Sequence, residues 1–407
     1  MKSYISRPLC TNKIEPFIGK DLIKVITDQR RICKSYILLQ ISDIIKEKTP
    51  EANIIFIDKE LLAFADMKNY MDLYQYVLKK AAGHNYNYLF VDEVQEIEEF
   101  QLCLRSLLNE NICDIYCTES NAKMLSGELA THLAGRYIEF PVHSLSYEEF
   151  LRFNQLQDSP ESLRLYLMFG GMPYIHNLAM DINVIFEYLR NVYSTILLKD
   201  VVARESIRNV SFLENLVGYL VDNTGSLFSA QNISKYLKSQ QVNIPAQTIL
   251  NYLKALCNSF FVYKIQRAET QGMKIFEIGE KYYFEDLGLH NAIRHHDFRR
   301  DINKLIENVV CIDLLRYGYE VYVGKNGDKE IDFIASQRDH KIYIQVAYML
   351  LDEAAVQREF GNLLEIPDNY PKYVVTMDEM QSGGNYQGIK QISVSYTHLT
   401  LPTILLV

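Results

Sequence analysis

The stretch Leu22–Ser35, LIKVITDQRRICKS, decides how the chain is read. A short apolar run, Leu22–Thr27, leads into a polar turn, and residues 28–35 keep the spacing of the phosphate-loop pattern GxxxxGKS. Lys34 and Ser35 fill its last two places, while Asp28 and Cys33 stand where glycines belong. In such a loop the backbone N–H groups and the start of the next helix cradle phosphates. The lysine reaches the β- and γ-phosphates and the serine hydroxyl holds Mg2+. Downstream, the apolar run Leu89–Val91 ends in Asp92 and Glu93. This is a Walker B arrangement, in which Asp92 supports the metal and Glu93 orients or deprotonates the attacking water.

Working outward, the same strand signal recurs at Asn53–Asp58, Tyr88–Asp92, Asp114–Thr118 and Arg136–Phe140. Helical stretches such as Tyr70–Ala82 and Phe100–Asn109 lie between. Strands alternating with helices imply an α/β fold with a parallel sheet covered on both faces. Near-continuous apolar runs fit buried parallel strands. Residues 1–143 are therefore expected to be a nucleotide-binding domain.

Beyond it the character changes. Residues 144–205 read as a helical lid or linker, opened by a capping box of Ser146 and Glu149 and interrupted by the turn Gly170-Gly171-Met172-Pro173. Residues 206–290 give three helices and then a hairpin, Ser259–Ala268 and Lys274–Asp286, which is a winged-helix order. Its candidate recognition helix, from Pro245, carries only Lys254, with Lys235, Lys238, Lys264 and Arg267 nearby. Phosphate contacts need such cations, so the expectation divides between DNA docking and a protein-interaction role. Residues 291–393 read as a small α/β domain with a helix at Ile302–Tyr317 and strands at Tyr319–Val323, Glu330–Ala335, Lys341–Tyr348 and Tyr373–Thr376. Glu307 and Asp332 resemble the acids of a restriction-endonuclease-like core. That chemistry also wants Glu-x-Lys, and Gln345 and Ala347 stand there instead. Nuclease activity is not expected, because one sheet carboxylate cannot hold a metal as a pair does.

The chain has 407 residues, enough for two or three domains, with 48% hydrophobic and 23% charged residues. That composition excludes a disordered or fibrous protein. Lys and Arg total 42 against 51 Asp and Glu, a net charge of −9, so a basic coat over the whole surface is excluded, though a local basic patch is not. No apolar run approaches the ~18 residues of a membrane span, and no signal peptide is read at the N-terminus. Seven cysteines, an odd number at irregular spacings, suit reduced thiols in a cytoplasmic protein; Cys113 and Cys117 lack the partners of a zinc site. Residues 394–407, VSYTHLTLPTILLV, resemble translated adapter sequence and are expected to be a non-native tail; the alternative is an apolar C-terminal strand, which Pro402 weakens.

Taken together the motifs resemble the bacterial and archaeal AAA-type ATPases with an uncharacterised restriction-endonuclease-like C-terminal region. The carriers are QRRxxKS at 29–35, FVDEVQ at 90–95, SNAKMLSGELATHLAGRY at 120–137, FPVHSLSYEEFL at 140–151, GGMP at 170–173, KYYFEDLGL at 281–289 and the Glu307-Asn308 to Glu330–Phe333 segment. The resemblance implies ATP and Mg2+ as cofactors. Arg30, Arg31, Lys34, Ser35, Asp92 and Asn121 would bind nucleotide, with Ser35 and Asp92 on the metal and Ser120 beside Asn121 sensing the γ-phosphate. Glu93 and Arg136 would be catalytic, Arg136 by completing a neighbouring subunit's site in a homo-oligomer; a salt bridge at the strand edge is the plain reading of that arginine. The plain reading of Arg30 and Arg31 is solvated charge. The family has glycine where this chain has Asp28, Cys33 and Glu119. A Cβ at position 33 costs ~1–2 kcal/mol if φ is positive, and the two carboxylates add negative charge beside a triphosphate. The expectation is an AAA-type protein with weakened ATP binding and hydrolysis. The alternative is a catalytically inactive binding or scaffold protein docking DNA or protein through the winged helix.

Overall fold

The computed structural model describes residues 4–120, 133, 135–205, 207–239, 241–294, 302–350, 352–378 and 383–396. Two compact units are present: Met1–Val142 with Asn258–Phe260, and His143–Cys257 with Phe261–Val407.

The first unit begins with a short helix, α1 (Pro8–Ile14), with proline at its start where no N–H is needed. A five-stranded sheet follows, made of β1 (Ile23–Thr27), β2 (Asn53–Asp58), β3 (Asn87–Asp92), β4 (Asp114–Glu119) and β5 (Tyr137–Pro141). The order is β2-β3-β4-β1-β5 and every pairing is parallel. Helices α2 (Lys34–Lys48), α3 (Tyr70–Ala81) and α4 (Phe100–Asn109) connect the strands. Asn69 and Asp72 form a capping box at the start of α3. The α/β parallel-sheet expectation holds, and each expected strand appears within a residue of its boundary. Leu73, Val77, Leu104 and Leu107 pack with Ile55, Ile57, Leu89, Val91 and Ile115 into one core.

One strand position breaks the apolar rule. Lys24 is buried in the middle of β1, paired with Asp114 and 5.1 Å from the centre of the Tyr116 ring. Burial pushes its ammonium below the usual lysine range, against the opposing pull of Asp114.

The second unit starts with α5 (Tyr147–Asn154). Its expected capping box is present: Ser146 Oγ accepts from Glu149 N at 3.2 Å and Glu149 Oε2 accepts from Ser146 N at 3.1 Å. Then come α6 (Pro160–Phe169), α7 (Ile182–Thr195) running into a π-helical stretch Ile196–Ala203, α8 (Val210–Asp222), α9 (Ala230–Ser239) and α10 (Ala246–Asn258). The hairpin follows as β6 (Val262–Glu269) and β7 (Ile275–Phe284), then α11 (Leu287–Ile293) and α12 (Ile302–Arg316). The remaining elements are β8 (Glu320–Asn326), β9 (Lys329–Gln337), β10 (His340–Val346), α13 (Glu353–Leu364), β11 (Lys372–Thr376), β12 (Asn385–Tyr386) and β13 (Ile389–Ser393).

The hairpin does not stand apart as a wing. All eight strands form one sheet in the order β12-β13-β11-β10-β9-β8-β6-β7, with β6 parallel to β8. The sheet runs across the boundary expected at residue 290. Helix α13 and the pair β12–β13 were not foreseen; of the apolar residues of α13 only Phe360 and Leu363 are buried, a weak periodic signal. The 394–407 segment lies outside the described residues except for a turn at Val394–Tyr396, where Val394 is buried.

The motifs GGMP and KYYFEDLGL meet inside this unit. Asp286 Oδ2 accepts from Gly171 N at 2.6 Å and Oδ1 from Leu289 N at 3.0 Å, capping α11. Glu285 accepts from Ser144 N at 2.6 Å and pairs with His143 Nδ1 at 2.9 Å. Burial pushes both carboxyls up to about 7 although backbone N–H groups hold them down. The chains approach so closely that a Cβ on Gly288 would lie 2.0 Å from the Phe169 carbonyl oxygen, and one on Gly171 would lie 2.3 Å from that of Leu145.

Candidate functional site

The site is built at the C-terminal edge of the parallel sheet, where open α/β sheets bind ligands. Strand β1 delivers the loop 28–33 there and α2 begins immediately after it. Loop residues Asp28, Arg31 and Cys33 have φ of 134°, 70° and 69°. These include both positions where the phosphate-loop pattern calls for glycine, so the conditional strain foreseen at Cys33 is present and Asp28 shares it. An L-residue at positive φ costs ~1–2 kcal/mol, and the value at Asp28 lies outside the compact left-handed region that Asp tolerates. Asp28 also turns its carboxylate on its own loop: Oδ1 accepts from Gln29 N at 2.6 Å. A backbone donor of the kind that cradles phosphate is thereby engaged internally.

Lys34 is buried, and its Nζ donates to the Asp28 carbonyl at 2.6 Å and to the Gln29 carbonyl at 2.7 Å. Its charge also acts on Glu93. Beneath the loop, the buried Arg7 donates from Nη1 to the Ile32 carbonyl at 3.2 Å and takes the Gln40 side-chain oxygen on its backbone N–H at 2.8 Å. Sequence reasoning did not find this support; an isolated arginine ahead of the first strand carries no pattern.

Strand β3 brings Asp92 and Glu93 to the same edge. Ser35 at the start of α2 hydrogen-bonds Asp92, and Thr118 from the neighbouring β4 donates to Asp92 Oδ1. Burial raises the Asp92 carboxyl above the usual range despite those hydrogen bonds. Thr118 Oγ1 also accepts from Glu93 N at 2.8 Å, so one hydroxyl joins both acids. Glu93 has φ of 53°, and its carboxylate accepts from Ser120 Oγ at 3.0 and 3.2 Å and from Gln95. Burial would push it up, but Lys34, Arg30 and these hydrogen bonds outweigh that and hold it below the ordinary glutamate range. Arg30 lies 3.7 Å from Glu93, 3.8 Å from Glu60 and 3.9 Å from Glu96. Thr118 was legible in hindsight as the polar residue directly after the apolar run Ile115–Cys117.

The structure thus brings Lys34, Ser35, Asp92, Glu93, Arg30 and Ser120 together. Arg31 and Arg136 are exposed, and Asn121 lies outside the described residues. Glu119 ends β4 fully buried, in register with Thr27 of β1. A serine hydroxyl bonded to a buried carboxylate at a helix start is the oxygen donor set that suits Mg2+. All seven cysteines are free, and burial lifts the Cys113 thiol to about 12. Among the described residues no helix is long and apolar enough to cross a membrane.

Residues 20–151 match the model of an AAA domain, and residues 160–300 match a domain of unknown function. An endonuclease-like family is not matched by either. An uncharacterised protein of Haemophilus influenzae is 34% identical over 384 residues, 92% of this chain and 94% of that protein. The uncharacterised protein MJ1544 of Methanocaldococcus jannaschii is 30% identical over 356 residues, 83% and 77% of the two chains. Among solved structures, Cdc6p from Pyrobaculum aerophilum has a TM-score of 0.31 at 12% identity, covering 72% of this chain and 95% of that one. AMPPCP-bound DnaA from Aquifex aeolicus also gives 0.31 at 12%, covering 52% and 75%. Likenesses at such scores carry no functional argument. The identities over most of both chains show the family instead: residues 20–151 match the AAA domain, and the chain belongs to one family with these Haemophilus influenzae and Methanocaldococcus jannaschii proteins.

Proposed function

We propose that the N-terminal unit is an ATP site of reduced strength, binding Mg-ATP weakly and hydrolysing it slowly. The observation that carries this reading is the convergence of Lys34, Ser35, Asp92 and Glu93 on one sheet edge around a loop whose glycine positions hold Asp28 and Cys33 at positive φ. Lys34, Arg30 and Arg31 would meet the phosphates, and Ser35 with Asp92 would hold Mg2+, which when bound neutralises phosphate charge. Glu93, kept ionised, is suited to orient and deprotonate a water. Asn121 would contact the γ-phosphate beside Ser120, and Arg136, exposed at the head of β5, would serve a neighbouring copy in a homo-oligomer. The weakening would come from three sources: strain in the loop, the Gln29 N–H engaged by Asp28, and the negative charge of Asp28 and Glu119, buried at the ends of β1 and β4.

A second reading is a binding or scaffold protein, with the helices α8 to α10 and the hairpin docking DNA or a protein in winged-helix fashion and the C-terminal part serving as an endonuclease-like structural module. Lys34 bonded to its own loop and the exposed Lys235, Lys238 and Lys254 favour it. Titration of a fluorescent ATP analogue with Mg2+ into the full chain and into Lys34→Ala separates the two. The first reading expects weak saturable binding that the substitution abolishes; no binding by either form supports the second.

A further inference from the structure

The second unit contains a charge cluster that neither reading uses. Three carboxylates converge: Glu307 from α12, and Glu330 and Asp332 from β9. A single ammonium stands among them. Lys281 of β7, almost wholly buried, lies 2.8 Å from Glu307 Oε1 and 2.9 Å from Glu330 Oε1, and the charge of Asp332 acts on it as well. Tyr283, two residues along the same strand, donates to Glu307 Oε1 as well. Asp332 Oδ2 accepts from Val346 N at 2.8 Å, and Gln345, a neutral amide, accepts the Asp332 N–H at 3.4 Å.

Three acids, of which Asp332 is buried and Glu307 and Glu330 are partly buried, stand beside one cation and leave excess negative charge, and low-dielectric surroundings make an uncompensated charge costly. Burial and the neighbouring Glu307 push the Asp332 carboxyl well above its usual range. The Glu330 side chain is about one-third exposed (35%) and solvated. Glu307, with its second oxygen facing Gly225, relies on Lys281 and Tyr283. The surrounding acids outweigh burial and hold the ammonium protonated throughout the working pH range.

We propose that Lys281 is the built-in counter-cation of this acidic cluster, taking the place a divalent ion would need and tying β7 to β9 and α12 without metal. The proposal is independent of the nucleotide site. It makes the lysine supplied by the hairpin, rather than any group at Ala347, the cation of this region. The cluster is then an electrostatic clamp, indifferent to divalent ions while Lys281 is present and open to them once it is removed.

The test uses full chains in an Asp92→Asn background, so that cations at the nucleotide site do not contribute. Thermal unfolding is followed with and without millimolar Mn2+. The parent should be unmoved by Mn2+. Lys281→Met should lower Tm by roughly 10 °C, as loss of one partner of a buried pair does, and Mn2+ should restore a large part of it. Lys281→Met with Glu307→Gln should not be rescued. The proposal is overturned if Mn2+ stabilises the parent, if Lys281→Met leaves Tm unchanged, or if Mn2+ gives no rescue. It is equally overturned if the parent nicks supercoiled DNA with Mn2+ and loses that on substitution, which would make Lys281 a metal's partner. Should Lys281→Met fail to fold, room-temperature Mn2+ binding to the parent decides: a retained sharp free-ion spectrum supports the clamp, and a bound-ion signal abolished by Glu307→Gln refutes it.

Discussion

Replacing Asp28 and Cys33 together by glycine should raise the affinity for Mg-ATP far more than it raises stability. Both residues hold positive φ, 134° and 69°. Relief of that strain is worth ~1–2 kcal/mol per residue, and the extra freedom of glycine in the unfolded chain returns ~0.5–1 kcal/mol of it. The net gain per position is therefore of order 1 kcal/mol or less, and Tm should move by only a few degrees. Strain shared by the empty and filled loop cancels from affinity. Charge does not cancel. A carboxylate ~4 Å from a phosphate charge costs about 1 kcal/mol in bulk water and about 4 kcal/mol at an effective dielectric of 20. At 1.4 kcal/mol per decade this is roughly fivefold to a thousandfold in Kd. Asp28 also releases the Gln29 N–H when removed. Fluorescent-nucleotide titration gives the affinity, phosphate release the turnover, and circular dichroism the Tm. Asp28→Asn alone, which keeps the Cβ, should recover most of the affinity if charge dominates. Equal affinity and turnover in the double variant and the parent would refute the reasoning.

Asp92→Asn should abolish the Mg2+ dependence of nucleotide binding while stabilising the apo protein near neutral pH. Burial raises the folded-state carboxyl above its unfolded value, so its favourable contribution is complete in acid and lost as pH rises through the folded pKa. The Tm advantage of the variant must therefore grow from acid to neutral pH, and a pH-independent gap would contradict the burial argument. Gly288→Ala should destabilise the second unit by at least about 3 kcal/mol, because the added Cβ meets the Phe169 carbonyl at 2.0 Å. The chain has no tryptophan, so denaturant curves are best followed by circular dichroism; an unchanged midpoint would show that the 169–171 and 286–288 segments can part at little cost.

The first unit was readable because its signals are local. Continuous apolar runs mark β1 to β4, and the spacing from Asp28 to Ser35 fixes the loop between strand and helix. The pairing order that sets Thr118 against both Asp92 and Glu93 is a three-dimensional fact, and only its polar side chain directly after the apolar run Ile115–Cys117 hinted at it. The buried Lys24 defied the apolar rule because Asp114 and the Tyr116 ring receive its charge from another strand. In the second unit the helices and hairpin were legible from caps and periodicity. Their joining was not, since the parallel pairing of β6 with β8 depends on residues separated by two helices. Lys281 fell on a strand read as one arm of a hairpin, and it is the first residue of the KYYFEDLGL motif. Nothing in a linear pattern reveals that its ammonium reaches Glu307 and Glu330.

That eight-stranded sheet also governs how the polypeptide can be made. Strands β6 and β7 emerge from the ribosome before β8, and until residues 320–326 arrive one flank of β6 has bare amides and carbonyls with no mate. Nascent chains with such naked flanks are adhesive, and late long-distance closure is slow. Any truncation ending between α11 and β8 would freeze that sticky stage permanently. Expression trials that cut this protein near residue 300 should therefore yield inclusion bodies, whereas cuts near residue 142 spare every strand pairing.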